Sequence, residues 1–412
     1  MSRGMKQSGV PWLKDIPSNW NVERGKNVLI LQKRPVRESD DVVTCFRDGE
    51  VILRSLRRTE GFTMSDKEIG YQGINEGDIV IHGMDGFAGA MGVSKSTGKG
   101  SPVLVVCSPK YDAIPQYIIY YLKALAMTDV FIALATGIRE RSCDLRWNKI
   151  SELEFILPSS TEQQKIASFL DRKCAEIDEM IALQEKIVEE LKAYKQSVIT
   201  EAVTKGLNPD VPMKDSGIEW IGEIPEHWEV RRLKYVAERH CQKVTDEVLP
   251  YIGLENIESF SENYIETDNE YDISQAQICS VGDVIFGKLR PYLGKARVIK
   301  SEQCCSSEFI VLRGGEAPSY LRHLMLSNWF IEIVNASTYG TKMPRANADF
   351  IMNMQVIVPP IIERKEIECY LNTKCTEIDN LISIKLSKID SLKEYKKSII
   401  YEYVTGKKEV TE

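Results

Sequence analysis

The residues best suited to chemistry in this chain are lysines and arginines set among aromatic and glycine positions. The stretch Phe286-Gly-Lys288-Leu-Arg290-Pro-Tyr292-Leu-Gly-Lys295-Ala-Arg297-Val-Ile-Lys300 carries five cations and no acid. Such a density of ammonium and guanidinium groups suits phosphate, and arginine forks also match the paired acceptors of a guanine edge. A second kind of cluster occurs twice, as Gly137-Ile-Arg139-Glu-Arg141-Ser-Cys-Asp-Leu-Arg146 and Gly340-Thr-Lys342-Met-Pro-Arg345-Ala-Asn347. The amide of Asn347 fits an adenine edge as the arginines fit guanine. The expected nucleic-acid contacts are therefore Arg139, Arg141, Arg146, Lys288, Arg290, Lys295, Arg297, Lys342, Arg345 and Asn347. Solvated surface charge is the plain alternative for each loop, and for a third cluster, Arg54-x-x-Arg57-Arg58.

Catalytic signatures are missing. No glycine-rich cofactor loop, phosphate loop or Asn/Asp-Pro-Pro-aromatic motif is present, and Asn208-Pro209-Asp210 reads as a turn. Glu190-Leu-Lys192 has the spacing of a nuclease motif but sits on the charged face of a helical segment. With four histidines and no Cys-x-x-Cys pair, the ten cysteines read as reduced, mostly buried thiols, with no metal site. No catalytic residue and no cofactor is expected. No signal peptide is visible, and the most apolar stretch, Tyr117 to Met127, is short and broken by Lys123, so neither a membrane span nor export is expected. The net charge of −7 runs against nucleic-acid binding as a whole, so any basic face must be local.

What positions these clusters is a duplicated frame. Residues 5–28 and 213–236 agree at 12 of 24 positions, from Met5-Lys-x-Ser-Gly and Met213-Lys-x-Ser-Gly through Trp20-x-Val22 and Trp228-x-Val230. Residues 158–204 and 359–405 agree at 19 of 47 without a gap, around Lys173-Cys-x-Glu-Ile-Asp178 and Lys374-Cys-x-Glu-Ile-Asp379. Between these ends the halves diverge, apart from a Gly77-Asp78 and Gly282-Asp283 step into an apolar run. One scaffold with two different surfaces is the reading, against a duplication whose interiors simply drifted. The repeated Trp12/Trp20 and Trp220/Trp228 pairs read as packing of the entry segment, not as base-stacking platforms.

The repeated tails predict long helices. Apolar residues recur every three or four positions from Ile166 to Val198 and from Ile367 to Ile399, with Gly206 and Gly406 as stops. About forty residues at 1.5 Å each make a rod of roughly 60 Å. Burying both stripes requires the helices to run antiparallel, related by a pseudo-twofold axis. Gln184 and Lys385 break the stripe near mid-helix and are expected either to face each other or to lie at its edge. The interiors predict mixed α/β folds, with strands near residues 51–53, 78–81, 102–106, 283–286 and 309–312 and helices near 116–126 and 319–334. The expected fold class is α+β: two mixed α/β domains joined by two long helices in an antiparallel coiled coil. The expected divisions are 1–158, a helix over 159–206, linker and second domain over 207–358, a helix over 359–405, and a tail over 406–412.

These features resemble the specificity subunits of type I restriction–modification systems over essentially the whole chain. The resemblance rests on Lys214-Asp-Ser-Gly-Ile-Glu-Trp-Ile-Gly-Glu-Ile-Pro-Glu-His-Trp228, Tyr251-Ile-Gly-Leu-Glu-Asn256, Thr161-Glu-Gln-Gln-Lys-Ile166 and Ala202-Val-Thr-Lys-Gly-Leu207. It implies two target-recognition domains, each reading half of a bipartite site in double-stranded DNA, with the helices as a ruler. It further implies docking of two modification subunits that methylate adenine N6 from S-adenosylmethionine, and of ATP-dependent restriction subunits, all in the cytoplasm. Ile362-Glu363-Arg364-Lys365 departs from the first helix's opening and puts equivalence of the two docking ends in question. A scaffold protein without a DNA role, or a fragment of a fused restriction–methylation enzyme, are the alternatives.

Overall fold

The computed structural model describes residues 3–57, 69–110, 112–128, 130–133, 145–244, 249–267, 275–340 and 342–411. The chain forms two compact units, Met1–Leu183 with Lys388–Glu412, and Gln184–Ser387.

In the first unit the entry segment folds into a hairpin, Met5–Val10 against Leu13–Pro17. Strand Asn21–Arg24 then pairs antiparallel with Glu154–Leu157, bringing the two ends of the domain together. The central sheet is four-stranded and antiparallel, in the order Leu29–Leu31, Leu104–Pro109, Ile79–His82, Met91–Val93. Helix Pro115–Met127 starts on a proline, the residue best tolerated in a first turn, and buries Tyr117, Ile118, Tyr121 and Leu125.

The second unit repeats this plan with other residues. Met213–Asp215 pairs with Glu223–Pro225, and Glu229–Arg232 with Gln355–Val358. Its central sheet runs Arg239–His240, Phe309–Arg313, Asp283–Gly287, Ala296–Val298, and helix Pro318–Met325 again starts on proline. The Gly-Asp step has the same use in both. Gly77 and Gly282 each take a φ of +87°, a region glycine enters without penalty. The next carboxylate closes the turn, accepting from Asn75 N at 2.7 Å or Ser280 N at 2.9 Å.

The long helices span Ser160–Lys205 and Ile361–Val404. Within the first unit, Ile166, Leu170 and Ile177 of one helix and Ile399, Ile400 and Val404 of the other share a core with the domain. Within the second, Val198, Ala202 and Val203 share a core with Ile367, Leu371 and Cys375. The helices run antiparallel in each unit. The start of one and the end of the other meet at a fully buried tryptophan. Trp20 donates its indole N–H to Glu162 at 3.0 Å beside Gly406, and Trp228 donates to Glu363 at 2.9 Å beside Gly206. Glu363 thus keeps the work of Glu162 although its neighbours differ. Farther along, Lys396 meets Asp178 at 2.7 Å in the first unit, and Lys195 meets Asp379 at 2.7 Å in the second.

Two expectations need correction. Residues 319–334 do not form one helix: Ser327 takes extended backbone angles (φ −64°, ψ 149°) and separates Pro318–Met325 from Asn328–Ala336. Gln184 and Lys385 do not face each other, because the register fixed by Lys195 and Asp379 puts Lys385 level with Glu189. Gln184 is buried, and its side-chain oxygen has no partner.

The nine cysteines among the described residues are free thiols, seven of them buried. Among the described residues no helix is long and apolar enough to cross a membrane.

Candidate nucleic-acid interface

In the second unit, strand Asp283–Gly287 is buried along its whole length, so chemistry begins where it ends. Lys288 leaves the sheet there, its backbone N–H donating to the Glu308 carbonyl at 2.8 Å. The segment before the last short helix then lies alongside. Ala346 N donates to the Lys288 carbonyl at 2.9 Å, and Arg290 N donates to the Pro344 carbonyl at 2.7 Å. On its other edge Arg345 pairs with Tyr339 through two backbone hydrogen bonds, 3.1 and 3.3 Å. Backbone pairing therefore joins the two basic clusters of this half into one edge.

Charge on that edge is positive. Lys288 is half-buried. Burial depresses its pKa most, Glu308 pushes back, and the nearby Arg239 and Arg345 add to the depression. Arg345 forms an ion pair with Glu308 and keeps about half its side chain exposed, while Arg239 reaches Asp349 at 3.0 Å. Arg290 is exposed and holds φ +50°, ψ 60°, a left-handed conformation that costs a non-glycine residue roughly 1–2 kcal/mol. Pro291 and the bond to Pro344 fix it there. Among the described residues, the side chains of Arg290 and Lys342 make no hydrogen bond or ion pair. Five cations thus stand against two acids, Glu308 and Asp349. This arrangement can neutralise phosphate and offer guanidinium forks to base edges.

Other sequence-predicted residues are used differently. The Lys295 ammonium donates to the Leu254 carbonyl at 2.7 Å, and burial depresses its pKa. The Arg297 guanidinium donates to the Glu262 carbonyl and lies 5.5 Å from the Tyr264 ring centre. Both brace the loop from within. Asn347 caps helix Ala348–Asn353, its side-chain oxygen accepting from Asp349 N at 2.7 Å. The residue is exposed, and its amide nitrogen makes no hydrogen bond among the described residues. Arg57 is engaged by Asp48 and Glu50 at 2.5 and 3.1 Å and lies over Phe46, and Arg54 donates to Thr44. Arg58, Arg139 and Arg141 lie outside the described residues.

The first unit builds the same junction with other chemistry. Leu145 N donates to the Gly83 carbonyl at 2.9 Å, where the second unit has Ala346 and Lys288. Arg146, exposed, precedes helix Trp147–Ile150 as Asn347 precedes its own, but does not cap it. The loop after the central strand turns through Gly86–Ala88 and carries Asp85, which holds Arg47 at 3.0 Å. Sequence reasoning missed Arg239, Glu308 and Tyr339, which join the edge only through strand pairing. The sole signal was the Tyr339-Gly340 turn ahead of the basic run.

Comparisons with known proteins agree with this architecture. No family model matches the chain. The type I restriction enzyme MjaVIII specificity subunit of Methanocaldococcus jannaschii is 24% identical across 95% of this chain and 93% of its own length. The putative MjaX specificity subunit of the same organism is also 24% identical, over 95% and 94%. The EcoDI specificity subunit of Escherichia coli is 24% identical over 54% of this chain and 55% of its own length. A chain from a type I restriction–modification assembly has the same fold, with a TM-score of 0.71 at 14% identity over 95% of this chain and 99% of its own. The HsdS subunit from Thermoanaerobacter tengcongensis gives 0.52 at 16%, over 95% and 98%. In sequence over nearly the whole length of the two Methanocaldococcus jannaschii subunits, and in fold to the two solved structures, the chain is similar to specificity subunits of type I restriction–modification systems.

Proposed function

We propose that this chain is the non-catalytic DNA reader of such a system, recognising a bipartite duplex site with one half-site per unit. The observation that carries the reading is the edge of half-buried Lys288 and exposed Arg290, Lys342 and Arg345, built where two unlike chain segments pair. A net acidic chain concentrates cations there, as a local phosphate and base contact requires. The first unit reads through the equivalent junction around Gly83 and Arg146, with glycine and few charges, and so accepts a different half-site. Two modification subunits dock on the repeated entry segments and long helices, supply S-adenosylmethionine chemistry and flip the target adenine. ATP-dependent restriction subunits join for cleavage. Free thiols throughout the described residues suit the reducing cytoplasm, where that DNA lies.

The test is co-expression with a modification subunit and mapping of N6-methyladenine across the host genome. A split motif methylated only when this chain is present is the expected result. A stable complex that adds no methylation would move the assignment to a scaffold.

A further inference from the structure

The same edge carries an apolar feature that sequence recognition by hydrogen bonds does not use. Tyr339 and Arg345 exchange two backbone hydrogen bonds in an antiparallel bridge, and Gly340 takes φ +91°. The segment carrying Arg345 is fixed on its far side as well, through Lys288–Ala346 and Arg290–Pro344. Residues 344–346 are therefore paired on both edges. Directly before them stands Met343, 56% exposed and followed by the ring of Pro344, and Tyr339 opposite Arg345 is 62% exposed. A single exposed methionine is unremarkable on most surfaces. Here it adjoins a strand paired on both sides, next to Lys342 and within an edge of five cations. Apolar tips ringed by cations are how proteins wedge between base steps: the cations hold the phosphates while the apolar group replaces lost stacking.

We propose that Met343 is a wedge, driven between base pairs of the half-site read by the second unit, so that the duplex kinks at this edge. The proposal rests on the DNA-reading assignment above and adds a deformation to it. Specificity then includes a step that unstacks easily, such as a pyrimidine–purine step, at a position no side chain reads by hydrogen bond.

The test uses the full chain in its complex with the modification subunit and a duplex bearing the mapped half-site, with 2-aminopurine placed along it. The native complex should brighten 2-aminopurine at one step, since unstacking relieves its quenching. Met343→Ala should abolish most of that signal and weaken half-site binding by about tenfold or more. The salt dependence of binding should not change, because no phosphate contact is lost. Equal brightening and affinity in the variant would overturn the wedge while leaving DNA reading intact. Loss of modification-subunit binding with DNA binding unchanged would overturn it too, by making the edge a protein dock. No salt-dependent duplex binding by the native complex would remove the DNA-reading assignment, and the wedge with it.

Discussion

The two units share a strand plan and almost none of the residues that fill it, except at their ends. Both put an indole on a helix-start glutamate, both close a Gly-Asp turn, and both set the pre-helix segment beside the loop after the central strand. At that junction the first unit has Gly83, Asp85 and Arg146, and the second has Lys288, Arg290 and Arg345. Repeated residues hold the frame, and unrepeated ones make the exposed edge. Two surfaces can therefore change independently on one scaffold.

Even the frame is not used identically, and the largest expected effect follows from that. Lys195 and Lys396 are equivalent residues in equivalent ion pairs. Lys195 is 7% exposed and also donates to the Phe260 carbonyl at 2.8 Å, whereas Lys396 is 29% exposed and meets only Asp178 among the described residues. Removing one partner of a fully buried pair costs roughly 3–5 kcal/mol and an exposed pair is worth less than about 1 kcal/mol; the Lys195 pair, whose Asp379 is 34% exposed, falls between the two. Lys195→Ala should therefore lower the urea midpoint of the second unit more than Lys396→Ala lowers that of the first. Equal losses would mean that the two pairs carry the same load.

A second contrast joins the sheet-side helix to the long helix. Tyr120 donates to Asp171 at 2.7 Å in the first unit, and the matching place in the second holds His323, 3.0 Å from Asn372. Burial, the Arg322 charge and Lys195 push the His323 pKa down to about 3, with Asn372 opposing. A histidine with a depressed folded pKa stabilises fully above its unfolded value near 6.5 and loses that stability as pH falls towards 3. From pH 7 to pH 5 the second unit should lose about 2 kcal/mol from this residue. Tyr120 stays neutral throughout, and half-buried His82 leans the same way as His323 but more weakly. Urea unfolding at both pH values checks this: His323→Phe should flatten the slope of the second unit. An unchanged slope would show that other groups set it.

The frame was legible in the sequence because its signals are local: heptad-like spacing, a Gly stop, a Trp repeated at a constant offset. The shared interior was not, since a strand needs only an apolar run of the right length, which many sequences satisfy. The candidate edge was legible in part. Lys288 and Arg345 lie 57 positions apart and meet only through backbone pairing. Lys295 and Arg297 looked like their equals but turn under the loop to carbonyls that no spacing rule identifies. Asn347 carried a readable second signal, since Asn followed by Ala-Asp-Phe has the form of a helix cap.

The most direct test of independent reading surfaces is methylation mapping with the Lys288→Ala, Arg290→Ala double variant in the full complex. Specificity at one half of the split motif should relax by about tenfold, with the other half unchanged. Equal loss at both halves, or none at either, would contradict the account.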